Sequence, residues 1–86
     1  TDEAGGDAKV LAVPIDKLCA LYRAVKSHAD LSELTRSQIA HFFEHYKDLE
    51  PGKWVKITGW AGVTEAEMEI TNGVHRYNSA AKKPMF

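Results

Sequence analysis

The feature that most limits this chain is a shortage of strands. Only two stretches carry a clear strand signature. Lys9-Val10-Leu11-Ala12-Val13 is apolar and β-branched and stops at Pro14, which reads as a buried strand. Lys53 to Trp60 is rich in aromatic and β-branched residues. Alternation there puts Val55 and Ile57 on one face, with Trp54, Lys56, Thr58 and Trp60 on the other. Two strands alone leave unpaired edges and do not make an independently stable sheet. The missing partner strands are expected from an absent half or from another chain.

Helical patterns fill most of the remainder. Ile15, Leu18, Leu21, Tyr22 and Val25 recur at near-helical spacing, so residues 14–31 are expected to hold a short helix. The clearest element follows. Asp30 and Ser32 are both candidate N-caps, and Glu33 stands at the capping-box distance from Asp30. Ile39, Phe42, Phe43, Tyr46 and Leu49 then keep a 3.6-residue period until Glu50-Pro51-Gly52 stops the helix. A second helix is expected to begin at Thr64, boxed by Glu67, with Ala66, Ile70, Val74 and Tyr77 on one stripe. Gly73 weakens it by about 1 kcal/mol relative to alanine. Residues 79–86 read as a flexible tail.

A chain of 86 residues is one domain or a piece of one, and its margin for a core is thin. A net charge of −1 supplies no basic field for nucleic acid or an anionic membrane. No apolar run is long enough to cross a bilayer. The chain opens on Thr1 with no signal-peptide pattern, as expected of a processed or truncated polypeptide. The lone Cys19 cannot form an internal disulfide and suits a reducing compartment. In its apolar stretch it reads as a small buried hydrophobe.

Three places could carry chemistry. Asp2, Glu3 and Asp7 crowd one glycine-containing loop, with Lys9 just behind. Carboxylates on a loop suit a hard cation such as Mg²⁺, and a lysine beside them could position an anionic phosphate. The plainer reading is a solvated acidic loop. Tyr46-Lys47 closes the main helix. Lys47 has an ordinary explanation in the helix dipole, and the Tyr46 hydroxyl can reach a polar partner beyond the apolar stripe. His41-Phe42-Phe43-Glu44-His45 matches the H-x-x-E-H pattern of the inverted zinc metallopeptidases. The third acidic ligand those enzymes use has no room downstream, so the histidine pair reads better as a surface or subunit-contact feature, where it could respond to pH.

Taken together, Asp2-Glu3-Ala4-Gly5-Gly6-Asp7-Ala8-Lys9, then Ala12-Val13-Pro14, then Ile39 through Glu50 and Gly52-Lys53-Trp54-Val55-Lys56 with Gly59-Trp60, resemble soluble inorganic pyrophosphatases of the bacterial type. The likeness covers residues 1–78. It implies an α+β fold, the C-terminal part of a five-stranded barrel of the oligonucleotide-binding-fold type flanked by helices, with two to three strands and two main helices here. It implies Mg²⁺-dependent hydrolysis of pyrophosphate to two phosphates. Carried over by motif, Asp2 and Asp7 would be metal ligands, and Lys9, Tyr46 and Lys47 would contact phosphate oxygens. It further implies a cytoplasmic homo-oligomer, commonly a hexamer, with no nucleic-acid or membrane partner. The family's D-x-D-P-x-D cluster does not occur in this sequence, nor do the glutamate, lysine and arginine that accompany it upstream. The chain is therefore expected to hold part of an active site and to be inactive alone. The rival reading is a non-catalytic self-association module; a zinc-peptidase fragment is the more remote one.

Overall fold

Ser32 starts the principal helix as a hydroxyl N-cap should. Its Oγ accepts the Thr35 backbone N–H at 3.1 Å, and helix α1 runs from Glu33 to His45. The structure is a computed structural model and describes residues 1–83. Asp30 does not cap α1. Its carboxylate accepts the backbone N–H groups of Lys26 and Ser27 at 2.8 and 3.1 Å, closing a 3₁₀ turn at His28–Asp30. A second 3₁₀ turn covers Ala20–Tyr22. These two turns replace the single short helix expected over residues 14–31. Residues that must satisfy their own backbone locally settle for single turns when no surface is present to reward a longer helix.

Helix α1 ends before the expected stop. Tyr46 is its C-cap, and residues 46–52 form successive turns, with Gly52 at φ 77°. Helix α2 spans Val63–Ser79 and begins earlier than the Thr64 box predicts. The carboxylate of Glu65, rather than Glu67, accepts the Gly62 N–H at 3.0 Å and draws Thr64 into the first turn. The helix takes in Ser79, the first residue of the expected tail, and residues 84–86 lie outside the described part.

Neither expected strand joins a sheet. Among the described residues the only strand-type pairings are isolated bridges, Asp2 with Gly5 and Asp2 with Val55. The stretch from Lys9 to Val13 pairs with no other stretch among the described residues. Around Val55 the alternation nevertheless holds: Val55 and Ile57 are half-buried, while Trp54, Lys56, Thr58 and Trp60 are exposed. That face has begun to turn inward without an inside to meet.

The consequence is a chain with no buried residue among those described. Cys19, expected inside, is part-exposed and unpaired. The radius of gyration is 15.5 Å, against about 12 Å for a compact chain of this length. The accessible surface is 7278 Å², roughly 2,000 Å² more than a folded monomer of this mass presents. Val10, Leu11, Ile15, Leu18, Leu21, Trp54, Ile70 and Val74 stand among the exposed apolar side chains. No helix of the described residues is long and apolar enough to cross a membrane.

Candidate functional site

The expected site residues gather around the C-terminal end of α1. The acidic loop gets there by a tight turn. Asp2 and Gly5 exchange backbone hydrogen bonds at 2.8 and 2.9 Å, and Asp2 Oδ1 accepts the Ala4 N–H at 2.9 Å. Gly5 sits at φ 115°, a conformation that disfavours any side chain. The turn then lies along residues 54–56. Lys56 N–H donates to the Thr1 carbonyl at 2.9 Å, Thr1 N donates to the Lys56 carbonyl at 3.1 Å, and Trp54 N–H donates to Glu3 Oε2 at 3.2 Å.

Lys47, just past the end of α1, closes this arrangement. Its Nζ donates to Asp2 Oδ2 at 3.1 Å and to Glu3 Oε1 at 3.3 Å. The side chains of Lys47 and Asp2 keep only 15% and 13% of their exposure, the best-shielded ion pair among the described residues. The charges respond as this geometry demands. Asp2 is held below the ordinary carboxylate range, first by the Ala4 N–H and then by Lys47. Glu3 is lowered by its own backbone N–H first, with the Trp54 N–H and Lys47 adding to it against partial desolvation. Lys47 is raised above its usual value, chiefly by the hydrogen bond to Asp2.

A second ion pair joins Asp7 and Lys9. The Lys9 ammonium lies 5.0 Å from the Phe43 ring centre, which ties this pair to α1 through a cation–π contact. Phe43 meets Tyr46 edge-on at 5.7 Å, and Phe42 stacks on Tyr46 at the same separation. Lys9, Tyr46 and Lys47 thus share the aromatic flank of one helix end. Asp7 also borders an open depression with Thr1, Thr58, Glu69 and Arg76, which brings α2 to the edge of the same region.

The structure brings Asp2 to Lys47 and Asp7 to Lys9 but makes no metal cage of the two aspartates. Each is engaged with an ammonium, and the described residues contain no group of three or more His, Cys, Asp or Glu able to hold an ion. The donor chemistry suits a hard cation, while two carboxylates fall short of a site. Glu3 is the residue that the sequence placed in the acidic loop without assigning it a role. Its two oxygens bridge Lys47 and the Trp54 backbone across more than forty residues. Its position next to Asp2 was the only signal for it.

An acidic turn locked on a helix-end lysine, with a tyrosine and a second lysine beside it, defines a surface rich in oxygen and ammonium groups. Comparison with known proteins says whose surface it is. Residues 1–78 match the family described as inorganic pyrophosphatase, and the chain belongs to that family. It is 61% identical over 74 residues to the inorganic pyrophosphatase of Pseudomonas aeruginosa, covering 86% of this chain and 42% of that protein. The Escherichia coli K12 inorganic pyrophosphatase is 57% identical over 76 residues, 88% of this chain and 43% of the relative. A solved structure of an inorganic pyrophosphatase from Coxiella burnetii superposes with a TM-score of 0.72 at 51% identity, over 84% of this chain and 42% of that one. The chain therefore spans less than half the length of the relatives it matches.

Proposed function

We propose that this chain is the C-terminal part of a Mg²⁺-dependent inorganic pyrophosphatase and contributes Asp2, Asp7, Lys9, Tyr46 and Lys47 to a site completed by the rest of the fold. The observation that supports this most directly is the clamp of Lys47 between Asp2 and Glu3, beside Tyr46, in a chain of this family. In the clamp Lys47 already donates to two carboxylate oxygens. A bound pyrophosphate would offer it oxygens of the same charge, so the ammonium is pre-aimed and only exchanges partners. Lys9 would act likewise on leaving Asp7. The Tyr46 hydroxyl would donate to a phosphate oxygen from its place at the helix end. Mg²⁺, when bound, supplies charge neutralisation on the phosphate oxygens. Asp2 and Asp7 would be two of its ligands, with the others from the D-x-D-P-x-D cluster that this sequence lacks. By the same reading the complete protein is a cytoplasmic homo-oligomer, a hexamer in the bacterial pattern, acting on pyrophosphate and independent of nucleic acid and membranes.

The test is a chimera in which residues 1–78 replace the matching segment of the Pseudomonas aeruginosa pyrophosphatase. It is expected to release phosphate from pyrophosphate in a Mg²⁺-dependent way, and Lys47→Ala is expected to lower that rate by two or more orders of magnitude. A folded chimera with no turnover, or one indifferent to Lys47→Ala, overturns the reading. A second reading, a self-association module, is favoured by one observation, the exposed apolar side chains of both helices and of residues 10–21. Sedimentation of the chain with and without the N-terminal part of the Pseudomonas aeruginosa pyrophosphatase separates the two readings. A module self-associates as its finished function, whereas a partial enzyme exchanges that contact for the rest of its own fold.

A further inference from the structure

Helix α1 carries two adjacent phenylalanines, Phe42 and Phe43, which the sequence places together on one apolar stripe. The structure separates them. Phe42 is exposed, and its ring stacks on Tyr46. Phe43 is half-buried, and the Lys9 ammonium lies over its ring, 5.0 Å from the centre. The same ring meets Tyr46 edge-on, with planes inclined by 88°. Its spacing of three and four residues puts Phe43 on one helix face with Tyr46 and Lys47. We propose that Phe43 is the positioning residue for Lys9: its ring face keeps the ammonium beside Tyr46 and Lys47 when Asp7 gives it up. The use of Lys9 on phosphate rests on the pyrophosphatase reading; the contact itself rests on geometry alone.

Lys9 has two holds among the described residues, and they answer differently to a phosphate. Asp7 attracts the ammonium as an ion pair. On the proposed reading Asp7 is a metal ligand and Lys9 a phosphate contact, so that pair must part. The ring of Phe43 has no charge to surrender. Its negative face attracts a cation within about 6 Å of the ring centre, yet it is a weaker partner than a phosphate oxygen. It therefore steers the ammonium without trapping it. A lysine stem has many rotamers, and those excluded beforehand are ordering that the substrate need not supply.

The surroundings favour such a role. The Lys9 side chain keeps 32% of its exposure, so the contact is partly shielded from water and is stronger than an open one. Lys47 is placed otherwise, with Asp2, Glu3 and the Tyr46 ring around it. Lys9 depends on one carboxylate and one ring. What it needs from position 43 is a π face rather than bulk. Leucine would fill much of the space and offer no such face, whereas tyrosine would keep it.

Two measurements test this, one on the chain and one on the chimera of residues 1–78 with the Pseudomonas aeruginosa enzyme. In the chain the Lys9 ε-methylene resonances read the contact, because protons above a ring face are shielded. They should lie upfield of the ordinary lysine position, return to it in Phe43→Leu, and stay upfield in Phe43→Tyr and in Phe42→Leu. In the chimera Phe43→Leu should raise KM for pyrophosphate about three- to tenfold with kcat within about twofold, and Phe43→Tyr should restore the parent value. In a Lys9→Met background Phe43→Leu should add little, since a ring that acts through Lys9 then has nothing to hold. Helix content by circular dichroism verifies that the variants keep α1. An unshifted Lys9 resonance in the parent chain, a shift that survives Phe43→Leu, or a KM effect that persists in full without Lys9 overturns the proposal. Lys9→Met separates it from the larger reading. A folded chimera whose KM ignores Lys9→Met removes Lys9 from the pyrophosphatase site, whereas one that needs Lys9 but not Phe43 leaves that reading intact and overturns this one.

Discussion

Residues 1–7 and residues 9–25 are neighbours in sequence and opposites in structure. The first stretch is short, acidic and glycine-containing, yet it is anchored across the chain by Lys47, Trp54 and Lys56. The second is the more apolar, with Val10, Leu11, Val13, Ile15, Leu18 and Leu21, and its side chains stand open to solvent. The difference lies in where each finds its partners. A hydrogen-bonded turn and two ion pairs need only a few correctly placed groups, and this chain contains them. An apolar strand needs a second strand and a covering layer before burial returns anything. The relatives this chain matches are more than twice as long as the segment it shares with them.

The largest effect should therefore be on turnover. The chain alone is expected to release no phosphate from pyrophosphate above the Mg²⁺-containing blank, because on the proposed reading Asp2 and Asp7 are only two of the ligands the metal needs and the open stretch cannot fix others in place. Turnover near that of an intact relative, in a sample free of longer chains, would break the comparison outright. Next in size is the dynamic contrast. Backbone amides of residues 9–25 should exchange with deuterium close to the unprotected rate, while those of α1 and Trp54 and Lys56 are slowed. A hydrophobic dye should bind the chain and be displaced when the segment is completed in the chimera. Equal protection of the two stretches would mean that residues 9–25 have found a cover.

The same contrast explains what could be read from the sequence. The Ser32 cap, the interior of α1 and the alternation at Val55 and Ile57 were legible, because each depends on residues within a turn or two. The resemblance that named the family was legible for a related reason, since it rests on contiguous blocks. The Lys9–Val13 strand was misread in one respect: its composition is that of a strand, but a strand exists only with a partner. The start of α2 moved because Gly62 and Glu65 satisfied each other before Thr64 and Glu67 could. Asp30 went to the 3₁₀ turn, where two backbone N–H groups were available to it. The role of Glu3 was hidden, since nothing local connects it to Lys47 or Trp54.

A smaller effect should appear in acid. Asp2 and Glu3 have lowered values in the folded chain, so their contribution is complete above the ordinary carboxylate range and is lost as the pH falls through the lowered values. Lys47 is raised, so its share is complete below its ordinary value and would be lost only above the raised one. The turn should thus stay anchored from the ordinary carboxylate range up to at least the ordinary lysine range, and release only in acid below the ordinary carboxylate range. The Trp54 amide resonance, whose N–H donates to Glu3, reports the change directly. Glu3→Gln should move that resonance at neutral pH and flatten its acid titration. An unchanged titration would mean that the Trp54 contact does not depend on the Glu3 charge.

The finest test compares Gly5 with Gly6. An added Cβ would meet nothing within 4 Å at either position, so neither substitution creates a clash. They differ in backbone alone: Gly5 has φ 115°, and Gly6 is not in the positive-φ region. Gly5→Ala should loosen the turn by about 1–2 kcal/mol, the cost of holding a side chain in a sparsely populated conformation. Gly6→Ala should be neutral or stabilise by up to about 1 kcal/mol, since alanine has less freedom to lose on ordering. Exchange of the Trp54 and Lys56 amides measures both, because those N–H groups are covered only while the turn is seated. If the two variants behave alike, backbone shape is not what seats the turn, and the anchoring belongs to Lys47 and the carboxylates. If Gly5→Ala alone opens it, the acidic residues reach the helix end because one glycine turns the chain toward it.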